Sequence, residues 1–215
     1  ESSCLLMLCL TLLCMVGLIA LSDLIVDVLF KRGKFGLGDV LATSDAIVMY
    51  SIGLPAFGFI KIFSVIFFSE KNTFIPFSIS TFSMLANLFF ILLLVESMGH
   101  LGIALSLSLS SYFNVIALYI FLQKKKYWKI KKSFIKKIFK ILISSFLTYI
   151  LLITSYMLVL YSDYFNLSGF MSRTITLGVL IIFAVITFIV LLIMFRVVNY
   201  EALRKRNLRD LFVEK

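Results

Sequence analysis

Long apolar runs separated by short polar punctuation dominate the chain. Six of them approach or exceed the roughly 20 apolar residues that a helix needs to cross a bilayer. They cover residues 5–30, 46–68, 77–95, 101–122, 141–161 and 175–198. A closed membrane barrel would need short strands of alternating polarity, and the sequence shows none. The pattern predicts an all-α integral membrane protein with about six transmembrane helices. Between the fourth and fifth runs lies QKKKYWKIKKSFIKKIFK, residues 123–140. There Tyr127, Ile130, Phe134 and Ile138 recur at helical spacing while lysines take the other face. That spacing predicts an amphipathic helix lying under one leaflet, against membrane lipids. A different anomaly sits in GLPAFGFIKIFSVIFF, residues 53–68, where Lys61 interrupts an otherwise apolar span.

Composition agrees with the pattern. The chain is 61% hydrophobic with a mean hydropathy of +1.08, more than a soluble domain of this length carries. The net charge of +10 is bunched into connections. Bunching of this kind suits cytoplasmic loops of a membrane protein, and no nucleic-acid partner is expected. If the first span runs outward, the inner connections hold Lys71, nine lysines between Lys124 and Lys140, and the tail cations Arg204, Lys205, Arg206, Arg209 and Lys215. The outer connections then hold Lys31, Arg32, Lys34 and Arg173. This asymmetry predicts cytoplasmic placement of both ends. Residue Glu1 opens the chain with no charged leader before the apolar run, which predicts that it begins inside a larger protein.

Metal or covalent chemistry has little to stand on. Cys4, Cys9 and Cys14 are spaced by five, which turns successive thiols about 140° apart on a helix, so they share no ligand face. With His100 the single histidine, no metal site is expected, and the thiols read as buried or lipid-facing. Asp23 and Asp27 share one face of the first span, but no third catalytic group accompanies them, so the protein reads as a non-enzyme. Asp27 is expected to pair with Lys31 at the interface. Antiparallel spans put Asp23 and Lys61 roughly 15 Å apart in depth, too far for a direct pair.

Lys61 itself has two solutions. It lies roughly 10 Å from the inner end of its span by helix rise, so its stem could carry the ammonium to the interface. Alternatively it lines a hydrated cavity and attracts an anion. Gly53, Pro55 and Gly58 predict a kink in the same span, serving either as a hinge or as a close-approach surface. His100 reads as a turn residue. Ser106, Ser108, Ser110 and Asn114 read as interhelical hydrogen-bonding groups.

From Leu29 onward the ordered runs LFKRGKFGLGD, YSIGLPAFGFIK and GHLGIALS resemble the MurJ (MviN) family, lipid II flippases of bacterial cell-wall synthesis. LFKRGKFGLGD matches the family run through Leu29, Phe30, Arg32, Gly33, Phe35 and Asp39. YSIGLPAFGFIK continues it through Tyr50, Ser51, Gly53, Leu54, Pro55, Ala56, Phe57 and Lys61. Thr73, Pro76 and then GHLGIALS, with Gly99, His100, Gly102 and Ala104, complete an ordered match over about residues 21–122. The resemblance implies the C-terminal portion of a multidrug/oligosaccharidyl-lipid/polysaccharide exporter-type fold, the last six of fourteen helices. On that basis residues 1–122 form four helices of the C-terminal lobe and 123–140 a basic cytoplasmic connection. Residues 141–198 are two peripheral helices, and 199–215 a basic tail.

The implied function is transport of lipid II across the bacterial inner membrane by alternating access, with the N-terminal part of the same protein as partner. Lys61 would help bind the undecaprenyl-pyrophosphate-linked muropeptide. No cofactor is implied beyond ion or membrane-potential coupling. Asn87 matches one sodium-binding position of some relatives, while Ile91 stands at the next. The stretch FSEKNTFIP departs from the family, with Glu70 and Phe74 where cations are usual and Asn72 where an acid is usual. Another exporter of the superfamily, or a membrane scaffold for cell-wall synthesis, remains the alternative.

Overall fold

The computed structural model describes residues 2–128, 131–161 and 169–198. They form α1 (Ser2–Phe30), α2 (Leu37–Ser51), α3 (Leu54–Ser69), α4 (Phe74–Met98), α5 (His100–Lys124), α6 (Lys132–Tyr161) and α7 (Phe170–Met194). No strand occurs among the described residues. α2 and α3 together make one crossing, so six apolar crossings result, as the hydropathy pattern predicts.

α1 is the centre of the bundle, because it is apolar around its whole circumference and can bury every face. α2 and α3 pack on one side of it, with α5 behind them and α4 outermost, while α6 and α7 cover the other side. Near its start α1 meets Phe134 and Ile141 of α6 and Phe188 and Leu192 of α7. Its second half meets Leu152, Leu180 and Ala184 of the same two helices. A separate cluster joins Phe63 and Phe67 of α3 to Ile79, Leu118 and Leu122. In a bilayer, packing exchanges apolar lipid for apolar side chain, so close contact and polar bonds decide which helices meet.

Two expectations need correction. The second crossing does not start at residue 46: the chain is already helical at Leu37. Asp39 in the first turn of α2 accepts a hydrogen bond from Gly36 N–H at 2.9 Å, which caps the helix nine residues earlier than apolarity alone suggests. Nor is the basic block one interfacial helix. α5 ends at Lys124, and Lys126 takes a left-handed conformation (φ 57°) that turns the chain back. Tyr127 then packs its ring on Phe67, with centroids 5.9 Å apart, and Trp128 packs on Phe63 and Phe134 at 5.6 and 5.4 Å. From Lys132 the block runs directly into the α6 crossing, with Phe134 buried against the bundle. Ile130 and the tail, residues 199–215, lie outside the described residues.

Candidate functional site

Lys61 lies on α3, about 12 Å of helix rise from its end at Ser69. Its side chain is exposed and lines an open groove of about 520 Å³ shared with Ser3, Met7, Val65, Tyr127 and Trp128. The start of α1, the middle of α3 and the turn after α5 therefore form its walls. Among the described residues Lys61 has no carboxylate partner, since both ion pairs found there involve Asp27. The ammonium thus stands unpaired in an open groove, and an unpaired charge of this kind is favoured by water or by an anion beside it.

Above that groove the α2–α3 crossing is interrupted at Ile52 and Gly53. Pro55, in the first turn of α3, has no N–H to give to the preceding turn, and Gly53 N–H bonds Tyr50 O instead of the residue four back. Met49 O then accepts from Ser108 Oγ at 2.7 Å, and Ile52 O accepts from the Tyr112 hydroxyl at 2.9 Å. Both donors sit on one face of α5, four residues apart, so α5 clasps the interruption. Gly53 permits the approach: a Cβ there would lie 3.1 Å from the Ser108 Cα. Gly58 plays the same part against α1, where a Cβ would lie 2.9 Å from both Met7 and Thr11.

Of the serines expected to bond between helices, only Ser108 does so with its own hydroxyl. Ser106 and Ser110 bond back to Ile103 and Leu107 of α5 itself. Ser83 of α4 adds a further cross-helix bond, to Ser110 O at 2.8 Å. Asn87 Oδ1 and Asn114 Oδ1 are buried without a hydrogen-bond partner. No group of three His, Cys, Asp or Glu side chains comes together among the described residues.

The LFKRGKFGLGD motif builds a turn. Gly33 (φ 60°) and a bond from Phe35 N–H to Arg32 O reverse the chain, and Asp39 starts α2. Arg32 lies over the Phe170 ring at 5.2 Å, and Asp27 pairs with Lys31 at 2.7 Å and with Arg173. The Asp27–Lys31 pair is the one that spacing suggests. Arg173 and Phe170, at the start of α7, are partners that sequence reasoning missed, because nothing local links residues 146 positions apart. His100 Nε2 donates to Ala42 O at 3.3 Å, so it does more than occupy the turn between α4 and α5. Asp23 stays exposed on α1.

Comparison with known proteins gives these features a context. A "Probable lipid II flippase MurJ" of Rickettsia prowazekii is 34% identical over 189 residues, covering 86% of this chain and 36% of that protein. The "Lipid II flippase MurJ" of Thermosipho africanus is 34% identical over 104 residues, covering 48% of this chain and 22% of that protein. A solved structure described as "Lipid II flippase MurJ, inward closed conformation" superposes with a TM-score of 0.65 at 25% identity, covering 94% of this chain and 37% of its own. The matches thus cover between about a fifth and little more than a third of the length of these relatives. Residues 2–180 match the family described as lipid II flippase MurJ, and the chain belongs to that family.

Proposed function

We propose that this chain works as the C-terminal part of a lipid II flippase in the bacterial inner membrane, with Lys61 among the groups that hold the pyrophosphate. The observation that carries this reading is an exposed, unpaired lysine within a crossing, opening on a groove, in a chain whose family moves a diphosphate-linked lipid. In this reading the basic end of the bundle faces the cytoplasm. The headgroup enters the groove there while the polyprenyl tail stays in lipid. The clasped interruption at Ile52–Gly53 is the hinge on which the upper part, α2, tilts relative to α3. Asn87 Oδ1 is one oxygen free for a coupling cation, and Ile91 supplies none at the next turn.

Transport by alternating access needs two facing lobes, and this chain supplies one with its flanking helices. Proteoliposomes of the whole protein should therefore move labelled lipid II between leaflets, while residues 1–215 alone should insert and move none. Robust movement by residues 1–215 alone would overturn the two-lobe mechanism. Movement of another polysaccharide-linked lipid in preference to lipid II would place the protein with the other exporters of its superfamily.

A further inference from the structure

Three helices end at the basic end of the bundle, α3, α5 and α7, and all three end in the same way. Asn72 N–H bonds Phe67 O and Lys71 N–H bonds Phe68 O; Tyr127 N–H bonds Leu122 O and Lys126 N–H bonds Gln123 O; Val197 N–H bonds Leu192 O and Arg196 N–H bonds Ile193 O. This is the Schellman closure, in which the residue after the cap takes a left-handed conformation, normally glycine. Here that residue is Lys71 (φ 55°), Lys126 (φ 57°) and Arg196 (φ 52°). These are the only non-glycine residues with positive φ among the described residues. A side chain in this conformation is strained, and the other positive-φ residues described, Gly33 and Gly99, are glycines.

Completing the helix dipole does not explain the choice, because a cation within the last turn achieves it from ordinary helical backbone. α5 already has Lys124 in its last turn, and Lys126 still occupies the left-handed site. All three side chains are exposed, and none has an ion pair or ring contact among the described residues. The three termini are also tied together. Trp128, two residues after Lys126, packs both on the cluster holding Phe67 and on the cluster holding Val197. The result is a rigid, charged collar at the edge of the apolar crossings, where lipid phosphates lie.

We propose that Lys71, Lys126 and Arg196 form a binding collar for the phosphate groups of anionic phospholipids, fixing the depth of the bundle in the membrane. Each cation exchanges backbone strain for a fixed position at headgroup level, and a flexible basic loop could not hold its charges there. The collar's ligand is the phospholipid and not the transported substrate, although the turn that carries Lys126 is also a wall of the groove at Lys61.

The test compares the whole protein with the triple variant Lys71→Gly, Lys126→Gly and Arg196→Gly, and with an equal-charge control, Lys125→Gln, Lys132→Gln and Lys136→Gln. Thermal unfolding is followed in vesicles of phosphatidylcholine and in vesicles containing phosphatidylglycerol. Glycine suits the left-handed backbone, so the collar variant should unfold at or above the wild-type temperature in phosphatidylcholine. Phosphatidylglycerol should raise the wild-type and control midpoints, and the collar variant should lose at least half of that rise. Equal losses in the two triple variants, or no rise in the wild type, would overturn the proposal.

Discussion

The two ends of the bundle reverse the chain with different residues and different backbone geometry. At the end holding residues 31–36 and the α4–α5 turn, the positive-φ positions are Gly33 and Gly99, and Asp27, Lys31, Arg32 and Arg173 are engaged within the chain while Lys34 is exposed. Asp27 joins Lys31 and Arg173, and Arg32 covers Phe170, so α1, its turn and α7 are locked together. At the other end the left-handed positions are Lys71, Lys126 and Arg196, and none of them, nor Lys61, has an ion pair among the described residues. A non-glycine residue in this conformation costs about 1 kcal/mol or more. One end is closed by its own chemistry. The other keeps charge available for partners outside the chain, the contrast on which the proposed cytoplasmic placement of that end rests.

Four substitutions would break or sharpen this contrast. Lys61→Met in the whole protein should lower transport by roughly tenfold to a hundredfold, the range expected for one charge-assisted contact to an anion. Membrane insertion should be normal, because removing a charge from a crossing eases it. Full complementation by this variant in a strain dependent on the protein would return Lys61 to a purely structural role.

Asp27→Asn removes the carboxylate that Lys31 and Arg173 share at the closed end. The Asp27 side chain is 15% exposed and its partners are 31% and 26% exposed, so solvent only partly compensates. The expected loss is about 2 kcal/mol in thermal unfolding, between the values for exposed and buried pairs. Lys71→Gln, at the open end, should change stability in neutral detergent by less than about 0.5 kcal/mol. Similar losses from the two substitutions would remove the distinction between the ends.

Tyr112→Phe deletes one bond to the Ile52 carbonyl at the interruption between α2 and α3. A loss of about 1 kcal/mol is expected, with transport altered more than folding if the clasp governs tilting. Unchanged transport alongside the stability loss would make the clasp structural only.

Much of the architecture was legible before the coordinates, since six crossings need only long apolar runs. The interruption near Gly53 and Pro55 also announced itself, through a missing donor and a missing Cβ. Residues 37–45, LGDVLATSD, are only moderately apolar and by hydropathy belong to the connection, yet Asp39 caps a helix there. The basic block misled for a physical reason: helical spacing in Tyr127, Phe134 and Ile138 says nothing about a left-handed lysine at 126. Nor could one sequence tell Ser108 from Ser106, because both are serines on α5 and only the rotation of the helix decides which faces Met49. Lys61 was visible as an anomaly. Its groove was not, because Ser3, Met7 and Trp128 come from three distant segments.

The central claim is that the open end, through Lys61, receives the anionic headgroup while the closed end does not. A photocrosslinking amino acid placed at position 61 or at position 34 of the whole protein, incubated in membranes with labelled lipid II, tests it most directly. The account predicts a labelled adduct from position 61 and none from position 34. An adduct from position 34 with none from position 61 would contradict it.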